Sequence, residues 1–321
     1  MKKIIILLIV LLIFLGYTPY NELNSLAVVD TLGIEFTDNK YYLYLNVIND
    51  DNKVYKVTGD SLGEVFLKAR NIDNKKTYYK HLEVVIFNTN TLNDNTLNFF
   101  KDEFTSIDYL VLATSDNLSD LFNKYHKRSD YKSFIRKEKE SSASIINTTF
   151  KEVLSSSLDD VKDSFLPLIS YKDNLISKGV YIPSKDITLD NGMARANYLL
   201  NGKIDTFNTK IDLDNKSYEV VLYDLKASTK YKDNTIKIKI TGNIDSPDSN
   251  DLTKLKKKAS KMLENNIKEL LNSEKDNKYN ISNTINHIYL RKRKLDYNTY
   301  KNTNISIDIN LLEKEKNNYD Q

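Results

Sequence analysis

Hydrophobic and polar residues recur with regular spacing along the first half of the chain, and this spacing predicts strands and helices in turn. Residues 27–36 are rich in β-branched side chains, Asp38-Asn39 is typical of a turn, and residues 42–48 alternate, which together predict a hairpin. Residues 62–69 carry apolar side chains at helical spacing after a capping-box serine, which predicts an amphipathic helix on that sheet. The pattern continues with a strand at 82–87, a helix at 91–104, a strand at 108–113 and a helix at 117–125.

The middle of the chain is less regular. Residues 124–142 are charged and weakly periodic, so we expect a surface loop or linker there. A helix is predicted from Ile145 to about Ser157, because apolar residues recur on one face. Residues 165–169 are apolar around Pro167, which suits an edge strand or an interdomain connection. We expect the main domain boundary at residues 169–178.

The second half contains a group of strands and the longest helix. Ile236, Ile238 and Ile240 alternate strictly with lysines, which predicts a strand with one buried and one solvated face. A stripe of apolar residues predicts a helix at 252–271. Strands are predicted at 179–182, 195–204, 218–228, 235–244 and 304–311.

These elements predict an α+β fold: two to three small domains of mixed, mainly antiparallel sheets flanked by helices, with no regular βαβ repeat. A length of 321 residues is sufficient for two or three domains. We expect a signal or membrane anchor at residues 1–20 and an N-terminal α+β region at 21–172, either whole or in two subdomains. A C-terminal domain at 173–321 should combine an antiparallel sheet with the long helix.

The most apolar stretch, residues 4–15, follows Lys2 and Lys3. It is shorter than the roughly 20 residues that a full membrane span needs, and it is typical of the apolar region of an export signal. A buried core helix is disfavoured, since two lysines would border a stretch that is apolar on every face. Large side chains near Gly16 spoil the candidate cleavage sites, so we expect retention as a short anchor, with the rest of the chain outside the cytoplasm.

Composition excludes several classes of function. The chain has no Cys, which excludes disulfides, thiolate zinc sites, iron–sulfur clusters and lipidated cysteines. Its 8 glycines form neither of the common phosphate-binding motifs. With 47 basic and 44 acidic side chains, the net charge of +3 is a poor match for nucleic acid, so we expect no nucleic-acid partner.

The sequence also shows no recognisable reactive centre. His81, His126 and His287 are isolated from one another, and no HExxH, nucleophile-elbow or SxxK motif occurs. Adjacent carboxylates such as Asp159-Asp160 lie in polar runs that are typical of solvated loops. We therefore expect no catalytic, metal-binding or cofactor-binding residues, no cofactor, and no enzymatic activity.

Two basic clusters remain unexplained. Lysines at positions 254, 256, 257, 258 and 261 lie on the polar side of the predicted long helix, and Arg291-Lys292-Arg293-Lys294 precedes the last strand. One interpretation is contact with anionic lipid head groups or an acidic partner. The alternative, which we prefer, is a solvated helix face with extended lysines.

Several segments occur in an order that carries a family resemblance. Residues 22–29, Glu-Leu-Asn-Ser-Leu-Ala-Val-Val, precede Leu32-Gly33-Ile34-Glu35, and further segments follow at residues 81–85, 165–170, 202–204 and 228–242. This order resembles the Ger(x)C family of spore germination lipoproteins, the C subunits of GerA-type germinant receptors. The resemblance spans nearly the whole chain, and the common order of the segments, more than any one of them, carries it.

The resemblance implies an α+β protein of three small domains on the outer face of the spore inner membrane. It further implies a non-enzymatic receptor subunit that works with a multi-pass A subunit and a transporter-like B subunit, and that meets the small-molecule germinant indirectly. The chain departs from the family at Tyr17, where the lipidated cysteine is expected. Membrane attachment would then depend on the retained apolar segment.

Two other functions are weighed against this one. The first is an extracytoplasmic binding protein that captures a small nutrient itself and passes it to a membrane partner. The second is an exported hydrolase, which is disfavoured because no activated nucleophile or metal set is visible.

Overall fold

A computed structural model of the protein describes residues 25–104, 106–159, 161–246, 251–292 and 297–313. The predicted anchor at residues 1–20 lies outside these ranges, as do residues 293 and 294 of the second basic cluster. No helix within the described ranges is both long enough and apolar enough to cross a membrane.

Strands and helices are interspersed through the described residues. The strands are β1 (Leu26–Thr37), β2 (Lys40–Val47), β3 (Lys53–Gly59), β4 (Asn71–Ile72), β5 (Lys75–Tyr78), β6 (Val84–Asn88), β7 (Leu110–Thr114), β8 (Leu166–Tyr171), β9 (Leu175–Ile182), β10 (Ile187–Leu189), β11 (Phe207–Leu213), β12 (Lys216–Lys232), β13 (Thr235–Asp245) and β14 (Asn304–Glu313). The helices are α1 (Leu62–Lys68), α2 (Asp94–Glu103), α3 (Leu118–Lys124), α4 (Arg128–Ser141), α5 (Phe150–Ser157), α6 (Asn191–Leu200), α7 (Leu252–Asn277), α8 (Thr284–Lys292) and α9 (Tyr297–Lys301).

The first sheet has the strand order β10-β9-β8-β7-β6-β1-β2-β3, with β5 also pairing with β1 and β4 pairing with β5. Its central strands β1, β6, β7 and β8 run parallel, whereas β2, β3, β9 and β10 join antiparallel at the two sides. Every residue of β6 is buried, as expected for a central parallel strand covered on both faces.

Helices cover both faces of this sheet. On one face, Phe66 of α1, Phe100 of α2 and Phe150 of α5 pack into a core with the sheet residues Val85 and Phe87. The opposite face is covered by α3 and α4, whose buried residues pack against β6 and β7; they are Leu118, Leu121, Phe122, Tyr131, Phe134 and Ile135.

The second sheet has the order β11-β12-β13-β14, and β14 lies parallel to β13. The predicted alternation is confirmed, because Ile236, Ile238 and Ile240 face the core. The long helix α7 packs on this face through an apolar stripe: Leu255, Ala259, Leu263, Ile267 and Leu270. The fold thus has mixed α/β content, and its sheets of mixed strand orientation flanked by helices confirm the predicted α+β architecture.

Three local predictions are wrong. The predicted strand at 195–204 is largely the helix α6, because Asp190 caps its N-terminus by accepting a hydrogen bond from Met193 N at 2.9 Å. Gly202, with φ of +65°, adopts the left-handed conformation just beyond the helix end. These two signals enclose a helix whose buried residues, including Tyr198 and Leu199, could equally have suited a strand.

The predicted loop at 124–142 contains the helix α4. Its apolar face is narrow, with Tyr131, Phe134 and Ile135 buried, and the other positions are mostly charged, so the periodic signal is weak. At the N-terminus of α4, Lys127 N donates to Asp130 Oδ2 at 3.2 Å and Asp130 N donates to Lys127 O at 3.0 Å.

The segment around Pro167 is neither an edge strand nor a connection, since β8 lies between β7 and β9. The missing N–H of Pro167 does no harm there, because the ladder to β7 begins only at Leu168. The expectation of no βαβ repeat is also too strict. Strands β6 and β7 are parallel and joined through α2, and β7 and β8 are parallel and joined through α3, α4 and α5, which makes two consecutive parallel units.

Candidate functional site

A surface cleft of about 900 Å³ lies between the first sheet and the segment that follows α6. The turn before β6 supplies Leu82 and Glu83, and the start of β7 supplies Tyr109 and Leu110. The remaining lining comes from Ser106, Asp108, Lys132, Arg136, Lys139, Glu140, Asn147, Lys203, Ile204, Asp205 and Thr206. The lining is therefore strongly charged, with both signs present.

Glu83 is the centre of an ion-pair network at one wall of this cleft. Its two carboxylate oxygens contact Arg128 Nη1 and Lys132 Nζ, both from the first turns of α4. The Nε atom of Arg128 lies 3.7 Å from Oδ2 of Asp30, whose side chain is almost fully buried on β1. Asn46 Nδ2 on β2 donates to Asp30 Oδ1 at 2.8 Å. The network fastens α4 to the sheet at the cleft.

The pKa values of Asp30 and Glu83, the two carboxylates of this network, shift in opposite directions. Burial raises the pKa of Asp30 above its ordinary value, although the hydrogen bond from Asn46 and the charge of Arg128 oppose the rise. Desolvation also acts to raise the pKa of Glu83, but the hydrogen bond and charge of Lys132, with the charge of Arg128, outweigh it and lower this pKa. Glu83 is therefore an ionised, fully paired carboxylate at neutral pH.

A second ion pair closes the other side of the cleft. Lys203 Nζ, in the segment after α6, lies 2.6 Å from Glu152 Oε1 on α5. Glu152 also accepts a hydrogen bond from Thr149 N at 3.0 Å, and Thr149 Oγ1 accepts from Glu152 N in return, which is a complete capping box. The pair thus ties the chain after α6 to the N-terminus of a helix of the first sheet.

A smaller pocket of about 290 Å³ adjoins the cleft, and the two share Leu82, Ser106 and Tyr109. Its apolar walls include Phe104, and its rim carries Lys80 and Glu103. The hydroxyl oxygens of Tyr79 and Tyr109 are buried here and have no hydrogen-bond partner among the described residues. Burial raises the pKa of both phenols above the ordinary value, so they are neutral donors.

The charged cleft and the pocket beside it are suited to binding charged or polar groups.

The three histidines lie in separate places: His81 is exposed in the turn before β6, His126 follows α3, and His287 is half-buried on α8. Burial lowers the pKa of His287 below its ordinary value. Within the described ranges, no three His, Cys, Asp or Glu side chains come together in a way that could hold a metal ion.

The lysines of the first predicted basic cluster lie on α7, away from the residues that line the cleft. Lys254 Nζ lies 2.8 Å from Asp251 Oδ2, Lys261 Nζ lies 3.2 Å from Glu264 Oε2, and Lys256 Nζ lies 4.0 Å from Glu313 Oε1. These contacts support the preferred interpretation of a solvated helix face whose charges are locally balanced.

Sequence reasoning singled out no residue of the cleft as a site. Even so, two of the segments that carry the family resemblance meet there, because Leu82 and Glu83 line one side and Lys203 and Ile204 line the other. About 120 residues separate them in the sequence. Their convergence depends on tertiary packing, and the only signal for it in the sequence was their common resemblance to one family.

The described residues form a mixed α/β protein of two sheets with a charged cleft. A family model described as the spore germination protein N-terminal domain matches residues 19–171. Over 115 residues the chain is 25% identical to spore germination protein KC of Bacillus subtilis (strain 168), an alignment that covers 30% of this chain and 28% of the relative. The match therefore spans less than a third of that relative's length.

The fold likeness extends further along the chain. The crystal structure of the GerBC protein matches with a TM-score of 0.56 and 14% sequence identity, over 88% of this chain and 96% of GerBC. This likeness concerns the fold alone. The domain match and the curated relative bear out the resemblance to the Ger(x)C family of spore germination proteins that was drawn from the sequence.

Proposed function

We propose that this protein is the non-enzymatic C subunit of a nutrient germinant receptor, held at the outer face of the spore inner membrane beside an A and a B subunit. The observation that carries the proposal is the spore germination domain across residues 19–171. The charged cleft supports a binding role, because its central carboxylate Glu83 is already paired with Arg128 and Lys132.

We further propose that the cleft contacts the A or B subunit. Arg136 and Lys139 on α4 are exposed at its rim and make no ion pair with a described residue, so their charges are available to a partner. Charged groups at the rim of an interface contribute mainly to specificity and to the rate of association. The bound segment would be acidic at the position that faces these two side chains.

The experiment combines a gene deletion with complementation in the spore former. Wild type should restore nutrient-triggered germination, and the double variant Arg136→Glu/Lys139→Glu should restore it poorly and recover less A and B subunit when purified from solubilised spore membranes. The control is Lys185→Glu, an exposed lysine outside the cleft. Normal germination of the deletion strain with every nutrient, with no paralogue present, would contradict the proposed function.

For attachment, we propose that residues 1–20 are retained as the anchor, since Tyr17 offers no sulfur for a lipid. The intact mass of the membrane-bound protein measures this directly. An unprocessed mass supports retention, whereas a mass that corresponds to a start between residues 17 and 20 refutes it.

The second candidate function is direct capture of a small nutrient. The pocket beside the cleft favours it, because buried hydroxyls without a protein partner, here those of Tyr79 and Tyr109, call for water or a ligand. A thermal-shift screen of the protein against amino acids and sugars should then show saturable stabilisation that Tyr109→Phe weakens. If the protein is folded and no compound stabilises it, direct capture is contradicted and the receptor-subunit function remains.

A further inference from the structure

One face of the second sheet concentrates lysines. Five of them, Lys226, Lys230 and Lys232 on β12 with Lys237 and Lys239 on β13, point to the side opposite the core and are exposed; we call this set the lysine face. Lys230 and Lys237 are directly opposite each other in the ladder, and Lys239 is opposite Ser228. Since neighbouring strands lie about 4.8 Å apart and alternate residues about 7 Å apart, the five lysines fall within a patch roughly 20 Å long.

Acids are fewer than lysines on the lysine face. One of them, Asp224 at the bulge of β12, accepts a hydrogen bond from Asn243 Nδ2 at 3.0 Å. On the neighbouring strand β14, only Asp308, in register with Lys239, adds a negative charge to the same side. Among the described residues, Lys226, Lys230, Lys237 and Lys239 form no ion pair, and Lys232 reaches only the highly exposed Asp233 at 3.8 Å. Lysines elsewhere do pair, as Lys68 Nζ does with Glu64 Oε1 at 2.6 Å.

This arrangement opposes folding slightly. Like charges directly opposite each other on a sheet are destabilising, and the pair Lys230 and Lys237 adds to the repulsion from the flanking lysines. The five lysines do not contribute to the core of the sheet, which is formed by the isoleucines on its other side. A role outside the fold therefore accounts for the concentration of charge better than the fold itself does.

The composition of the lysine face distinguishes between partners. Protein–protein interfaces are enriched in aromatic residues and arginine and depleted of lysine. Here the side chains between the lysines are small and polar, such as Ser228, Thr241 and Ser306, with no exposed aromatic group or arginine among them. A flat field of flexible point charges matches a layer of anionic lipid head groups, which attracts basic segments without shape complementarity.

We propose that the lysine face binds the head groups of an anionic membrane and so lays the second sheet against the bilayer. Binding is electrostatic and weakens as salt shortens the screening length to about 3 Å at 1 M. The proposal concerns the C-terminal sheet and stands whether or not the protein acts as a receptor subunit.

The experiment uses the full chain and exploits its lack of cysteine, which makes any introduced cysteine a unique label site. Ser228→Cys places a fluorophore within the lysine face, and Asn265→Cys places one on the exposed side of α7, which covers the other side of the sheet. A quencher attached to lipid head groups reports contact. Vesicles of phosphatidylcholine with phosphatidylglycerol should quench the label at position 228 more than pure phosphatidylcholine does, and the label at 265 should not respond.

The lysine dependence has a matched control. Lys226→Gln/Lys230→Gln/Lys237→Gln/Lys239→Gln should lose the extra quenching and, because it removes repulsion, should remain folded by circular dichroism. The control variant Lys178→Gln/Lys185→Gln/Lys216→Gln/Lys257→Gln removes the same amount of charge from other exposed positions, and it should retain the extra quenching. Equal quenching in both kinds of vesicle, or equal loss in both quadruple variants, overturns the proposal. A response of the label at 228 to soluble polyglutamate but not to anionic vesicles also overturns it and points to an acidic protein.

Discussion

At the scale of single residues, several carboxylates are buried, and each accepts hydrogen bonds from a different group of donors. Asp30 accepts from Asn46, while Glu35 on the same strand lies 3.4 Å from the Tyr44 hydroxyl, and burial raises the pKa of both acids. The chain has 44 acidic side chains, and nothing in their sequence context separates the buried few from the solvated majority. Burial of these acids is a tertiary property.

Glu274 gives a residue-level prediction about pH. Its fully buried carboxylate accepts hydrogen bonds from Ile281 N at 2.9 Å, Ser282 N at 2.7 Å and the Tyr300 hydroxyl at 2.8 Å. Burial nevertheless raises the pKa of Glu274 from 4.5 to about 7. The folded protein therefore holds the proton more tightly than the unfolded chain does. The resulting stabilisation is complete below pH 4.5 and is lost as the pH rises through about 7.

The test compares the free energy of urea unfolding of the wild type with that of Glu274→Gln across this pH range. The Gln side chain does not ionise, so the wild type should lose on the order of 3 kcal/mol relative to the variant between the two pKa values. Glu269→Gln, at an exposed position of the same helix, should leave the pH dependence of the wild type unchanged. Parallel stability curves for the wild type and Glu274→Gln would show that folding does not raise the pKa of Glu274.

At the scale of elements, the sequence predicted most strands and helices wherever one periodicity was strong. The strand predicted from alternating residues at 235–244 corresponds to β13, and the helix predicted from the apolar stripe at 252–271 corresponds to the first three quarters of α7. The errors have physical causes. In α4 only three side chains are buried, and in α6 the buried residues include the consecutive run 196–199, so neither shows a clear one-sided amphipathic pattern. The cleft was not predictable, because its walls come from segments far apart in the sequence.

Gly33 gives a prediction about how α3 packs on β1. A Cβ at this position would lie 2.5 Å from Cε2 and 2.8 Å from Cζ of Phe122, whose ring is 1% exposed and cannot easily move. Gly33→Ala should therefore destabilise the protein by about 1–3 kcal/mol in urea unfolding. Gly63→Ala, where no atom lies within 4 Å, is the control and should be neutral or stabilising by up to about 1 kcal/mol, since Ala favours the helix α1.

A compensating substitution makes the Gly33 prediction sharper. If the loss arises from contact with the Phe122 ring, Phe122→Leu should destabilise less when Gly33→Ala is present than when it is absent, because the smaller side chain leaves room for the new methyl group. Additive effects of the two substitutions would locate the cause elsewhere, in the strand itself.

At the scale of the whole molecule, β9 joins the two sheets into one structure. It pairs with β8 of the first sheet, and its residue Tyr181 packs in the core under α1, α2 and α5. Its neighbours Val180 and Ile182 point the other way, into the core beneath the second sheet. The alternation of a single strand thus serves two cores. The ion pair between Lys203 and Glu152 adds a second link across the same region, beside the cleft.

The pairing of β9 with β8 bears on the proposed domain division at residue 172. A fragment of residues 21–172 ends after β8 and leaves that strand at an open edge, whereas a fragment of residues 21–189 keeps β9 and β10 beside it. We expect the longer fragment to unfold at a higher urea concentration, because β9 supplies hydrogen bonds to β8 and covers part of its side chains. Equal unfolding midpoints for the two soluble fragments would show that residues 21–172 form an independent unit to which β9 adds no stability.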